Sequence, residues 1–346
     1  MTERETFKMR LRTGIIGAGI WGRMHATAYT IHPETQPVAI CDLDEAKARA
    51  VAEEFGIPKI YRSAAELAAD PDVEAVSLAT PDFAHLEPAL AVIREKKPLL
   101  IEKPLATTVK DAKTICDAAK EAGILAMVDF HNRFNPQYDS AKRRLTDGTL
   151  GEARYIYMRH SNTLYVPTEM LTWAGRSSSL WFLGSHSADL VRWLFGTEVV
   201  EVYGTNTSGV LRERGLDVPD VWTSVLRFAN GGLGVIENAW ILPNTLPGYG
   251  DFRSEIIGEK GVYYTQLQAP EVNEFYAEAE HRRVDYITQL DIRGFQYGFT
   301  LQSIQYFANC VINDTEPFIT LEDGLRNTQI LCAVQESAAT GQPVKL

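Results

Sequence analysis

"TGIIGAGIWG", Thr13–Gly22, decides the fold of this chain. A short apolar run leads into Gly17, Gly19 and Gly22, spaced as G-x-G-x-x-G, and the residues after it read as a helix. Each glycine has its own task. Gly17 permits a tight turn, Gly19 lets backbone approach a pyrophosphate, and Gly22 lets helix and sheet pack closely. The helix start at Ile20 and Trp21 then offers N–H groups and partial positive charge to phosphates. About twenty residues on, "VAICDLD" ends a second apolar run on Asp42. A carboxylate there accepts from an adenosine ribose and repels a 2′-phosphate. No arginine directly follows Asp42, so NAD is favoured over NADP.

Outward from this stretch, residues 12–131 alternate apolar runs with helical segments. The runs "TGIIGAG", "QPVAICD", "EAVSLAT", "PLLIEK" and "ILAMVDF" are separated by segments such as "DEAKARAVAEEFG" and "TVKDAKTICDAAKEAG". Near-continuous apolar strands between helices predict a parallel sheet covered on both faces. Ser63 with Glu66 forms a capping box, Pro81 opens a helix, and Gly123 closes one. From Asn132 the pattern changes to longer, alternating runs such as "EARYIYMRH", "VVEVYGTN" and "VWTSVLRFAN". "NGG" at Asn230–Gly232 reads as a hairpin turn. The fold class is therefore α/β. An N-terminal Rossmann domain over residues 1–131 precedes an α+β domain over 132–346 with a large open, mostly antiparallel sheet. The last helix, about 322–340, is expected to pack back on the first domain.

The formal charge of −11 excludes a basic face for nucleic acid or an anionic membrane. No segment has the length and apolarity of a bilayer span. The mixed-sign opening "MTERETFKMRLR" does not read as a signal peptide. Cys41, Cys116, Cys310 and Cys332 form no C-x-x-C pair and stand near no histidine cluster. That speaks against a disulfide framework or a zinc site, so the expected compartment is the cytoplasm and no metal is expected.

Two further places carry chemistry. The run "PLLIEKPLATT" delivers Glu102 and Lys103 to a strand end, where open α/β sheets bind their ligands. Lys103 there either holds a substrate hydroxyl and relays its proton or merely caps a sheet edge. In "SLWFLGSHSADLVRWLFG", Ser179–Gly196, His186 stands at the expected start of a buried helix. A helix N-terminus favours the neutral ring, the form that accepts a proton. The alternative is a core histidine bonded to backbone. His85 is expected chiefly to brace the Lys103 loop. His131 and Asn132 flank a strand end and could line the cleft. Tyr165, Trp173 and Arg176 precede the His186 helix, where aromatic faces suit sugar C–H faces and arginine suits hydroxyls. Packing and solvation are their bland alternatives.

The sequence resembles the glucose–fructose oxidoreductase / inositol dehydrogenase / rhizopine-catabolism family, Gfo/Idh/MocA. The resemblance rests on "GIIGAGIWG", "ATPDFAHLEPAL", "IEKPLATT", "HNRFNP", "GSHSADLVRWLFG" and the tail "GLRNTQILCAVQESAATGQPVKL", and covers nearly the whole chain. It implies that Lys103 and His186 are catalytic and that Pro104 is cis. It also implies that Thr80 and Pro81 line the nicotinamide side and that Arg133 contacts substrate or cofactor. The family often carries an aspartate four residues before the histidine. Here Phe182 stands there, which points to a more apolar subsite, and Asp189 is read as structural.

The expected cofactor contacts are thus Gly17, Gly19, Ile20, Trp21, Gly22, Asp42, Thr80, Pro81, His85, Glu102 and Lys103. The expected substrate contacts are Lys103, Asn132, Arg133, Tyr165, Trp173, Arg176, Phe182 and His186. The expected activity is NAD-dependent hydride transfer between nicotinamide and a secondary hydroxyl of a sugar, cyclic polyol or derivative. Its alternatives are an NADPH-dependent keto-sugar reductase, NAD-assisted glycoside cleavage, and a cofactor-sensing regulator. The expected assembly is a homodimer or homotetramer through the C-terminal sheet.

Overall fold

The computed structural model describes residues 10–246, 248–266, 274–277, 280–283, 290–292 and 295–346. The mixed-charge stretch before residue 10 lies outside the described residues. Strands β1 (Leu11–Ile16), β2 (Thr35–Cys41), β3 (Lys59–Tyr61), β4 (Ala75–Leu78), β5 (Leu99–Glu102) and β6 (Ala126–Asp129) form one sheet in the order β3-β2-β1-β4-β5-β6. Every pairing in it is parallel. Helices α1 (Ile20–Ile31), α2 (Glu45–Phe55), α3 (Ala64–Ala69), α4 (Leu86–Arg94) and α5 (Val109–Ala122) connect the strands and cover both faces. That is why Val76, Leu99, Leu100, Ile101 and Val128 are fully buried. Local chemistry sets the helix ends. The Asp44 and Thr108 side chains cap α2 and α5, Ser63 and Glu66 form a reciprocal box on α3, and Gly56 and Gly123 end helices in the left-handed region. β3 was not visible in the sequence because three half-buried residues carry no period.

Beyond β6, a 3₁₀ turn (His131–Phe134) and α6 (Pro136–Thr146) lead to β7 (Ala153–Asn162). α7 (Ser185–Phe195), β8 (Val199–Thr207), β9 (Val221–Phe228), β10 (Leu233–Ala239), β11 (Gly250–Gly258) and β12 (Val262–Gln266) follow. The second sheet runs β12-β11-β7-β10-β9-β8 and closes on a short C-terminal strand, Val344–Lys345. It is antiparallel except where β10 runs parallel to β7. The "NGG" turn joins β9 to β10, with Gly231 at φ +82°.

The C-terminal helices α8 (Phe299–Asn313) and α9 (Leu321–Thr340) knit the halves together. From α8, Leu301, Ile304, Phe307 and Ala308 join the hydrophobic cluster of the first sheet, across the boundary expected at residue 131. α9 lies between the halves. Its Thr328 hydroxyl donates to the Ala106 carbonyl, and the Asn327 amide donates to the Ser185 carbonyl. Gly324 allows this approach, since a Cβ there would stand 2.7 Å from Val128 and 2.8 Å from Leu105. Among the described residues, no helix is long and apolar enough to cross a membrane.

Candidate functional site

The glycine-rich turn is shaped by its neighbours. Gly17 has φ +102°, and a Cβ there would overlap the Ala79 carbonyl at the end of β4. A Cβ on Gly22 would overlap the Gly17 carbonyl, whereas one on Gly19 would meet nothing within 4 Å. Gly19 is thus the open face of the turn. It also precedes α1, whose first turn has no side-chain cap and no acidic residue. Uncapped N–H groups at an open glycine form a fitting cradle for a diphosphate. Asp42, at the end of β2, is held in place: its Oδ2 accepts from Ala18 N at 2.7 Å and its Oδ1 from Asp44 N at 2.8 Å. Beside it Leu43 is 98 % exposed. Thr80 and Pro81 follow β4, and the Thr80 amide abuts Gly17, so the first-domain residues fit a dinucleotide.

Lys103 leaves β5 through a cis bond to Pro104. Its Nζ donates to the Phe182 carbonyl at 3.0 Å and lies 4.5 Å from the centre of the Phe182 ring. Burial lowers its pKa, and nearby carboxylates only partly oppose this. His85 holds the turn from below, with Nδ1 2.8 Å from the Pro104 carbonyl and Nε2 3.0 Å from the Thr80 carbonyl. Glu102 points the other way, because successive strand residues face opposite sides of a sheet. It does not reach the cofactor groove. Its Oε1 meets His25 Nε2 at 3.1 Å, and its carboxylate faces Asp129 in a fully enclosed cluster. Burial raises Glu102 to about 7 and Asp129 to about 8, and lowers His25 to about 4. Ser303, from α8, donates to Asp129.

A cavity of about 430 Å³ opens above Lys103. One side comes from Ile20, Trp21 and Met24 on α1, and the floor from Lys103, His131 and Asn132. His160 and Asn162 enter from β7, Phe252 from β11, and Phe299 and Thr300 from the start of α8. Tyr249 also lines it, and two π-helical turns add Val166 and Met170, from Val166–Met170, and Phe182 and Leu183, from Leu180–Gly184. Such turns are rare and concentrate at functional sites.

His186 lines this cavity, but not from a helix N-terminus. The π turn Leu180–Gly184 runs directly into α7, so His186 sits in the second turn of a continuous helix. The helix-end field expected for it is therefore absent. Its neutrality has other causes: burial drives its pKa well below 6.5, and Lys103, His131 and His160 add to the shift. Its Nδ1 is sealed without a partner, which leaves Nε2 as the nitrogen toward the cavity. The ring lies 4.7 Å from that of His131, which stacks on Trp21 at 4.9 Å. Among the described residues no carboxylate partners His186, in keeping with Phe182 at the position four residues before it.

Four residues expected at the substrate stand elsewhere. Arg133 is buried, with Nε 2.9 Å and Nη2 2.5 Å from the Asp189 carboxylate and Nη1 3.4 Å from Asp323. Its Nε, Nη1 and Nη2 are each engaged by a carboxylate, and it faces a separate polar pocket with Arg192 and Glu198. Tyr165 is exposed. Arg176 lies over the Phe83 ring at 3.8 Å, and Trp173 packs edge-on behind Phe182 at 6.1 Å. Conversely, sequence reasoning missed Met24, His160, Asn162, Met170, Phe252, Phe299 and Thr300. Only the unusual polar end of β7, "RHSN", signalled any of them.

A glycine turn at a helix start, an acid closing β2, and a buried lysine and histidine at the mouth of a second sheet define a dinucleotide-dependent oxidoreductase of two-part build. Residues 11–130 match the Gfo/Idh/MocA oxidoreductase family, NAD-binding Rossmann fold, and residues 142–346 match that family's C-terminal alpha/beta domain. The chain belongs to this family. It is 29% identical to the scyllo-inositol 2-dehydrogenase (NAD(+)) of Bacillus subtilis, over 97% of this chain and 96% of that one. It is 34% identical to inositol 2-dehydrogenase 2 of Saccharopolyspora erythraea, over 73% of this chain and 72% of that one. Among solved structures, a probable dehydrogenase from Thermotoga maritima superposes with a TM-score of 0.80 at 27% identity, covering 97% of this chain and 98% of that chain.

Proposed function

We propose that the protein is an NAD-dependent dehydrogenase that oxidises a secondary hydroxyl of a neutral sugar or cyclic polyol. The observation that carries this reading is the placement of Lys103 and His186 on one cavity beside the open face of the Gly17–Gly22 turn. The turn and the α1 N-terminus would hold the diphosphate, and Asp42 the adenosine ribose. NAD, when bound, supplies the hydride acceptor. Lys103 Nζ donates to the carbinol oxygen and stabilises charge as it develops there. His186 Nε2 accepts the hydroxyl proton, and its burial keeps it free to do so at neutral pH. Carbinol C–H and O–H are both lost, two electrons leave with the hydride, and a ketone remains. His131 and Trp21 pack against the base and exclude water from one side of it.

The relatives named as inositol dehydrogenases support a cyclic polyol as the substrate. The outer face of the second sheet exposes Tyr203, Leu233, Ile257, Val262 and Tyr264, which supports a homo-oligomer through that sheet. Light scattering on the eluting protein measures it. The activity is tested with a panel of sugars and inositols plus NAD, followed by reduced-nicotinamide absorbance. Turnover by the wild type and its loss in Lys103→Met, with NAD binding retained in calorimetry, is the expected result. Full turnover by Lys103→Met would sink this mechanism.

A further inference from the structure

We propose that the cavity selects a neutral ring carbinol bearing an apolar substituent, a deoxy, O-alkyl or aryl-glycosidic edge, over the bare polyol. This rests on the dehydrogenase reading above and names its substrate class. Lys103 is the one charged side chain that lines the cavity, and no carboxylate lines it, among the described residues. A ring with a hydroxyl on every carbon presents a donor at every edge. Each buried hydroxyl without an acceptor costs its desolvation, so such a ring needs acceptors all round.

None of the cavity's acceptor side chains, Asn132, Asn162, Tyr249 and Thr300 among them, comes from its two π turns. Asn162 Oδ1 is buried without a partner, and its Nδ2 is already committed to the Tyr249 carbonyl. The His160 Nε2 alongside is taken by the Tyr138 hydroxyl. The wall that the two π turns supply is Val166, Met170, Phe182 and Leu183. It does not yield. Phe182 is backed edge-on by Trp173 at 6.1 Å and by the fully buried Trp240 at 6.0 Å, while Lys103 lies over its ring. A substrate pinned at Lys103 and His186 therefore turns one edge onto hydrocarbon. A methyl, methylene or phenyl group suits that edge and a hydroxyl does not.

The test compares kcat/KM with NAD for two matched pairs: myo-inositol against its mono-O-methyl ethers, and glucose against phenyl β-glucoside. Burying one methyl and no longer stranding one hydroxyl together favour the substituted member by about tenfold or more. The expected result is that preference in at least one pair, and its collapse in Phe182→Asn. Should that variant not fold, Met170→Gln on the same wall serves instead. Preference for the bare member in both pairs overturns the inference while leaving the dehydrogenase reading intact. If none of the four compounds reduces NAD, the dehydrogenase reading fails for them. Calorimetric binding to the NAD-loaded protein then decides: tighter binding of a substituted member supports the apolar wall, and equal or weaker binding overturns it.

Discussion

Asp189→Asn removes the carboxylate that holds Arg133, and it is expected to destabilise the protein by about 3 kcal/mol. Both side chains are buried, at 3% and 2% exposure, and two N–H donors of the guanidinium engage the carboxylate. Breaking such a pair from one side leaves a buried charge, which costs ~3–5 kcal/mol. Asp323 places this case at the low end. It stays within 3.4 Å of the guanidinium, but it is shared with Arg192 at 2.7 Å. Replacing both members, as Arg133→Met with Asp189→Leu, removes the stranded charge and is expected to recover to within ~1 kcal/mol of wild type. Urea unfolding followed by tryptophan fluorescence and by far-ultraviolet circular dichroism reads these differences, with coincident transitions required. A single-variant loss below ~1 kcal/mol, or a double variant no more stable than the single, would refute the reasoning. The same pair ties the His131–Phe134 turn to α7 one turn beyond His186. Asp189→Asn should therefore lower kcat more than it raises KM.

Three more outcomes follow from the geometry. His186 is depressed by burial, so the acid limb of kcat/KM should lie below pH 6.5; a limb at or above that value would place the base elsewhere. Asp42→Ala should erode a preference for NAD over NADP of ~100-fold, read from the two kcat/KM values, because it removes the repulsion of a 2′-phosphate. In the buried carboxyl pair both folded-state pKa values are raised, Glu102 to about 7 and Asp129 to about 8. The stability tied to those protons is complete below the unfolded values near 4 and is lost as pH rises through 7 to 8. Asp129→Asn removes one share of that loss, so its Tm relative to wild type should climb between pH 5 and pH 8; a constant difference would show that the pair does not hold a proton.

What was legible in the sequence was local. Gly17, Gly19, Gly22 and Asp42 stand within one βαβ unit, so spacing alone orders them. Lys103 announced itself by ending a buried strand. The far wall of the cavity did not, because its residues come from β7, two π turns, β11 and α8, which only the folded chain brings together. Arg133 was misplaced for a related reason. An arginine at a strand end looks the same whether it meets a ligand or carboxylates 56 and 190 positions away. Glu102 is different: strand alternation already sets it opposite Lys103, and the sequence held that answer. The parallel pairing of β7 with β10 depends on a long return path that no turn motif marks.

The seating of α8 in the first hydrophobic cluster has a consequence for biosynthesis. The nucleotide-binding half is made first, yet Leu301, Ile304 and Phe307 must emerge before its core closes. At ~5–20 residues per second, the gap of roughly 170 residues lasts about 10–35 s. Throughout that interval the nascent chain presents the α8-facing surface of α1 uncovered, and Asp129 lacks the Ser303 donor. Ribosome-arrested chains ending near residue 290 should be cut by protease in α1, and chains extended past residue 321 by the length of the exit tunnel should resist.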